Sequence, residues 1–287
     1  NDPLSGGHGA AFPSELNSTL FSDYASKYRV IFLPPNGSGG TQPAKYADYK
    51  SSKSFNESLD FPPGTVISKT FTFRTEDALG ALVKEHIVET RLLILRSTSV
   101  GDTWVGLPYA WVQGEDGKPT KAVLKLAGDT VPSEWDYFDP NPNVKKNGTR
   151  ARYTGKAPAY AIPAALNCIG CHGGDDRVGA APIGPKARNM DRGVNPDFTG
   201  QNQLALMVSK GWLTGFNADV SKRDTPLAIY NIPSSGATKP VADSGRDLHE
   251  RVRAYLEVNC AYCHNGMASV RSRLPLVVVL VVISSIL

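Results

Sequence analysis

The stretch TVISKTFTFR, residues 65–74, alternates strictly. Ile67, Lys69, Phe71 and Phe73 fall on one side of an extended chain, and Val66, Ser68, Thr70 and Thr72 on the other. Period-two alternation of this length is the pattern of a half-buried β-strand. Pro62-Pro63-Gly64 sets its start, since this trio reads as a turn that a strand cannot run through. Toward the C-terminus, residues 86–96 (HIVETRLLILR) predict a second, longer strand, and residues 104–112 and 121–127 a third and a fourth. The turn signals Gly101-Asp102 and Gly114-Glu115-Asp116-Gly117 separate them, so consecutive strands should pair antiparallel in a sheet or sandwich. Residues 131–150 (VPSEWDYFDPNPNVKKNGTR) shift to Pro, Asn, Asp and Lys and read as a linker.

Past that point the pattern turns to helix and loop. Pro158 and Pro163 prevent a long helix before Cys168. Residues 201–211 (QNQLALMVSKG) put Leu204, Met207 and Val208 on one face and stop at Gly211, the pattern of a short amphipathic helix. Ser244 is placed to cap a further helix, with Asp247 three residues on and an apolar stripe of Leu248, Val252, Tyr255 and Leu256 that leads into Cys260. On that helix Arg246 with Glu250, Asp247 with Arg251 and Arg253 with Glu257 read as solvated i, i+4 pairs.

All four cysteines lie in two Cys-x-x-Cys-His pentads, Cys168-Ile169-Gly170-Cys171-His172 and Cys260-Ala261-Tyr262-Cys263-His264. Two thiols one short turn apart can add to the two vinyl groups of one haem, and a histidine directly after the second thiol can reach the iron from the same side. A four-cysteine zinc site, a disulfide pair and a thioredoxin-like redox motif compete for these cysteines, but none accounts for the two histidines. The expectation is two haems c, tethered by Cys168, Cys171, Cys260 and Cys263, with His172 and His264 as axial iron ligands. The expected fold class is α+β, with an N-terminal antiparallel β domain followed by a mainly helical cytochrome c-like diheme region. Residues 1–155 would form the β domain, 156–243 the first haem unit and 244–287 a second, incomplete one.

Composition agrees with a folded chain. It has 287 residues, 41% of them hydrophobic, which suffices for a real core and suggests two domains or one with an appendage. The formal net charge of +4 comes from basic residues interspersed with acids, so nucleic-acid binding gains no support. Haem propionates would bring the loaded protein close to neutral. Haem attachment to such pentads takes place outside the cytoplasmic membrane, which implies a periplasmic or otherwise extracytoplasmic location. No signal peptide is visible at Asn1, and a mature chain or a fragment is expected.

Several stretches resemble a family of bacterial diheme c-type cytochromes with a β-rich N-terminal region and a largely uncharacterised role: LNSTLFSDYASKYR at 16–29, FPPGTVISKTF at 61–71, ETRLLI at 89–94, PIGPKARNM at 182–190, NQLAL at 202–206 and RAYLEVNCAYCHN at 253–265. The resemblance implies electron transfer outside the cytoplasm and the same six haem-holding residues. It brings no substrate. After Ser269 the chain departs from the family pattern, ending in Val270-Arg271-Ser272-Arg273 and LPLVVVLVVISSIL at 274–287. That run is shorter than the ~20 residues a helix needs to cross a bilayer core, and Arg271 and Arg273 would lie on the outer side, against the positive-inside rule. A truncated or frame-shifted C-terminus is expected, with no membrane anchor.

Among other candidates, Met190, in its Pro- and Gly-containing loop, is the best-placed distal ligand for the first haem, where a thioether would raise the potential. Met207 reads as core packing, and Met267 follows His264 too closely to pass to the opposite face. His8, His86 and His249 read as ordinary surface or hydrogen-bonded histidines. GSGG at 37–40 lacks the Lys-Ser/Thr of a phosphate loop and is a flexible turn. The function expected is an extracytoplasmic diheme cytochrome c carrying electrons between redox partner proteins. The alternatives are a haem enzyme with one open iron, peroxidase-like or acting on a small nitrogen compound, and a binding module built on the β domain. FPPGTVISKTF also resembles a short stretch of β-sheet cytochromes that oxidise small nitrogen compounds.

Overall fold

A computed structural model describes residues 9–46, 59–139, 145–172, 182–192, 202–217, 219, 225–229 and 248–261. Its centre is the predicted strand, β4 (Val66–Glu76), which follows β1 (Ala10–Pro13), β2 (Ser26–Leu33) and the short β3 (Ala44–Lys45). The next strands are β5 (Leu82–Thr98), β6 (Gly101–Gln113) and β7 (Pro119–Leu124); the first two contain the second and third predicted strands, and β7 ends three residues short of the end of the fourth, predicted at 121–127. The sheet runs β1-β2-β4-β5-β6-β7 with every neighbouring pair antiparallel. Strand β8 (Asp129–Phe138) follows, then the tiny pair β9 (Lys145–Lys146) and β10 (Thr149–Arg150), then β11 (Arg152–Ile162). β8 pairs antiparallel with β11 and touches β4 through one parallel pair, Thr75 with Asp136. The expected linker at 131–150 is therefore partly strand: Val131, Trp135 and Tyr137 alternate inward, and this apolar periodicity outweighs the Pro- and Asn-rich composition.

Partners in register share a face, so one face of the sheet carries successive rows. Phe12, Ile31, Ile67, Leu93 and Gly106 form one row, Arg29, Lys69, Arg91 and Pro108 the next, and Lys27, Phe71, Glu89 and Ala110 the third. The first apolar cluster lies at the Phe12 and Ile31 end and the second, with Phe71, Phe73, Val88, Tyr160 and Ile162, at the other. Val88 is the extra residue where pairing shifts between Phe71 and Thr72, a bulge that twists the ladder locally.

The expected mainly helical cytochrome c-like region after the β domain is corrected by the structure: the described residues are mostly β, with a large antiparallel sheet. Beyond β11 the described helices are α1 (Cys168–His172), α2 (Ala187–Met190), α3 (Gln203–Ser209) and α4 (Leu248–Asn259), with the two-residue β12 (Leu213–Thr214) between the last two. Pro163, Pro182, Pro185 and Gly211 keep the first three too short to be stable alone. They pack on the sheet instead. Met190, Leu204, Met207, Trp212 and Leu213 complete the first cluster with Phe12, Ile31 and Leu95, and Trp212 stacks on Phe12 with centroids 5.2 Å apart.

A buried polar lattice ties α2 and α3 to the stretch before β2. Asn189 accepts from the Ser18 amide at 2.9 Å and donates to the carbonyls of Ser18 and Gly184. Gln203 donates to the carbonyls of Glu15 and Met190. Asn202 caps α3 by accepting from the amides of Leu204 and Ala205, and Gly211, at φ +72°, ends that segment where the sequence places its stop. On α4 the residues most deeply buried are Ala254 and Val258, against Leu227, Ala228 and Leu20. Glu257 accepts from Arg188 of α2 at 3.1 Å, a tertiary contact that the i, i+4 reading with Arg253 did not foresee.

Candidate functional site

Strand β11 delivers the first pentad. Its last residue, Ile162, is buried in the second cluster and pairs with Asp129. Pro163 then stops the strand, the amide of Ala165 donates to the carbonyl of Leu126 at 2.9 Å, and a 3-10 turn at Ala165–Asn167 runs into α1. Helix α1 rests on β6: a Cβ on Gly106 would lie 2.7 Å from the Sγ of Cys168, so a side chain there would force the Cys168 side chain to move. Cys168 is half-buried and Cys171 exposed, and both thiols are free. His172, partly exposed, ends the same turn. Residues three apart on a helix are neighbours, so Cys168 and Cys171 adjoin on this turn.

Beside Gly106 on the same face lies the row that sequence reasoning missed: Arg29, Lys69 and Arg91, one on each of β2, β4 and β5, with Lys27 in the adjoining row. Arg91 forks onto Glu89, with Nε donating to Oε2 at 2.8 Å, and Glu89, fully buried, also accepts from the Tyr160 hydroxyl at 2.7 Å. Lys27 donates to the carbonyl of Leu20. Arg29 is 8% exposed, and its Nη1 has no hydrogen-bond partner. Burial, then the neighbouring Arg91 and Arg29, push Lys69 down to about 7 against the opposing pull of Glu89 and Cys168. Burial also raises the Cys168 thiol, while Arg91 and Lys69 draw it back down.

One signal could have exposed this row. Lys69 stands on the side of TVISKTFTFR that carries Ile67, Phe71 and Phe73, and a lone cation in an apolar alternation is a buried polar group in need of a partner.

The second pentad begins at the end of α4. Cys260 is half-buried, and its amide donates to the carbonyl of Leu256 at 2.9 Å. Asn259, just before it, accepts from the amide of Phe21 at 2.6 Å. Cys263, His264, Met267 and His8, like the apolar tail, lie outside the described residues. Met190 and Met207 are buried in the first cluster. His86 is half-buried on β5 opposite Phe73, and His249 is exposed on α4, where its Nε2 accepts from Arg253 at 3.4 Å. Among the described residues no three His, Cys, Asp or Glu side chains gather to hold a metal ion, and no helix is long and apolar enough to cross a membrane.

The residues of the first pentad fit a tethered haem. Two free thiols and a histidine share one turn, and a buried guanidinium nitrogen without a partner sits in the cationic row beside them. Comparison with protein-family models, with curated proteins and with solved structures returns no match.

Proposed function

We propose that this chain is an extracytoplasmic c-type cytochrome with two covalent haems, one for each pentad, that passes electrons between redox partner proteins. The observation that carries this reading is the first pentad in its setting: Cys168, Cys171 and His172 on one helical turn, thiols free, seated on the sheet at Gly106. A haem held there supplies reversible one-electron chemistry at its iron.

The chain's own residues hold and shield that group. Cys168 and Cys171 tether it, and a ring nitrogen of His172 serves the iron. The strands β4 to β6 form a rigid wall beside it, because each is hydrogen-bonded on both sides. Exposure of Cys171 leaves one edge accessible to a partner protein. For a second haem, Cys260 and Cys263 would be the tethers and His264 would serve the iron, on pentad spacing alone.

Expression of the full chain with a c-type maturation system should give two haems that survive acid-acetone extraction. Cys168→Ala with Cys171→Ala should leave one. Full haem content in that double variant would remove the first site, and a wild-type chain without covalent haem would remove the whole reading.

A second reading, a haem enzyme with one open iron acting on peroxide or a small nitrogen compound, draws support from Met190 and Met207. Both thioethers are engaged in core packing with Leu204 and Phe12. Carbon monoxide added to the reduced protein separates the two readings, since an open iron binds it and a six-coordinate one does not.

A further inference from the structure

The cationic row carries more positive charge than the described residues around it compensate. Arg29, Lys69, Arg91 and Lys27 converge on one stretch of one face. Their acidic neighbours are Glu89, which holds Arg91, Glu15, which acts on Arg29, and Asp23, which acts on Lys27 from the exposed rim. Lys69 is left with two cations beside it and, for compensation, Glu89 and the Cys168 thiol. Burying charge without a counter-charge costs several kcal/mol per ion, of order that size even after relaxation. A chain that places three cations side by side across three strands therefore calls for an anion on that face. The row is also reachable. Lys69 is half-buried, and the Arg91 side chain keeps 29% of its exposure, whereas the Nη1 of Arg29 is buried and has no partner. Cys168 stands at its edge: Gly106 beneath the thiol shares a row with Leu93, and Arg91 is two residues from Leu93 on the same strand and face.

We infer that Arg29, Lys69 and Arg91 form the seat for carboxylate groups, those of the haem propionates carried by the porphyrin that Cys168 and Cys171 tether. The inference rests on the function proposed above and deepens it. It gives the β-sheet a direct part in the site: the sheet would supply the counter-charge, while Cys168, Cys171 and His172 of α1 would hold the haem. Arg29 offers the unpartnered Nη1, Lys69 a point charge, and Arg91 a guanidinium already oriented by Glu89, the arrangement expected for charge-assisted hydrogen bonds to carboxylates. A free oxyanion presents the same chemistry, so the experiment must separate the two sources.

The test uses the matured full-length protein. Lys69→Gln and Arg29→Gln should keep both covalent haems, yet shift the midpoint potential of one haem downward, because a lost cation favours the oxidised iron. In those variants the potential of that haem should also gain a pH-dependent slope in the neutral range, since propionates without their counter-charges hold protons more tightly. Lys69→Arg should restore the flat profile. These results, with sodium sulfate having no effect on the wild-type potential, support the seat. If the haem is attached and both Gln variants keep the wild-type potential and pH profile, the seat is wrong while the cytochrome reading stands. A sulfate-dependent potential in the wild type that is lost in Lys69→Gln assigns the row to a free oxyanion and overturns the propionate assignment. A chain without covalent haem removes both. Should Lys69→Gln fail to accumulate, Arg29→Gln alone gives the same readout, with Arg29→Lys as its charge-keeping control.

Discussion

Lys69 and Arg91 face each other across β4 and β5, and both lie over the ring of Phe71, at 5.2 and 4.3 Å from its centroid. Like charges directly opposite on a sheet are destabilising, and the electron-rich face of one ring offsets only part of that cost. Glu89 answers Arg91 with a two-point hydrogen bond, which with its negative charge outweighs burial and raises the guanidinium. Lys69 has no such fork. The strain of this pair is the physical basis of the first expectation below.

In the haem-free chain Lys69 releases its proton at about 7, against 10.5 for an ordinary lysine. Between those values the unfolded chain binds a proton that the folded chain does not. Stability of the haem-free protein should therefore rise as pH rises from about 7 to 10.5, and the penalty is constant below that window, where both states are charged. Lys69→Met should reduce the slope and stabilise the protein at neutral pH by about 1–4 kcal/mol. A reduced slope remains, because burial lowers Lys27 in the same direction. Urea unfolding across the window reads both effects, and equal slopes in wild type and variant would refute the assignment.

Gly106→Ala places a methyl group 2.7 Å from the Sγ of Cys168, so the Cys168 side chain or the turn that carries it must shift. The expected outcome is a loss of haem at the first pentad with the second unaffected, together with destabilisation of about 1–3 kcal/mol. Intact mass and haem content report this directly. Full loading at wild-type stability would show that α1 does not depend on its seat.

Met190 is wholly buried beside Leu204 and Met207. Met190→Ala should cost about 2–5 kcal/mol through the cavity it leaves, while the visible spectrum of the loaded protein stays unchanged. Loss of a His/Met absorption band, with a lower potential for one haem, would instead make Met190 the distal ligand.

Asn189→Ala removes one acceptor and two donated hydrogen bonds from the lattice that joins α2 to Ser18 and Gly184. Each buried partner left unsatisfied costs about 1–3 kcal/mol, so the midpoint of urea unfolding should fall markedly. A midpoint within error of wild type would mean that water replaces the lost bonds at no cost.

Short-range pattern alone determined a good part of this protein. Alternation placed β4, because a side-chain period of two is written into a strand's own residues, and runs between turn signals placed β5, β6 and most of β7. Pentad spacing put Cys168, Cys171 and His172 on one turn, because residues three and four apart are neighbours on a helix. Asn202 and Gly211 bound α3 by the local chemistry of caps.

Only the tertiary structure decided that, among the described residues, α1 to α3 are short helices packed on the sheet. The residues that hold them there, Asn189 to Ser18, Gln203 to Glu15 and Arg188 to Glu257, are distant in sequence, and no local period encodes such pairs. The cationic row has the same origin. Arg29, Lys69 and Arg91 come from three separate strands, and their repulsion arises only when register sets them side by side.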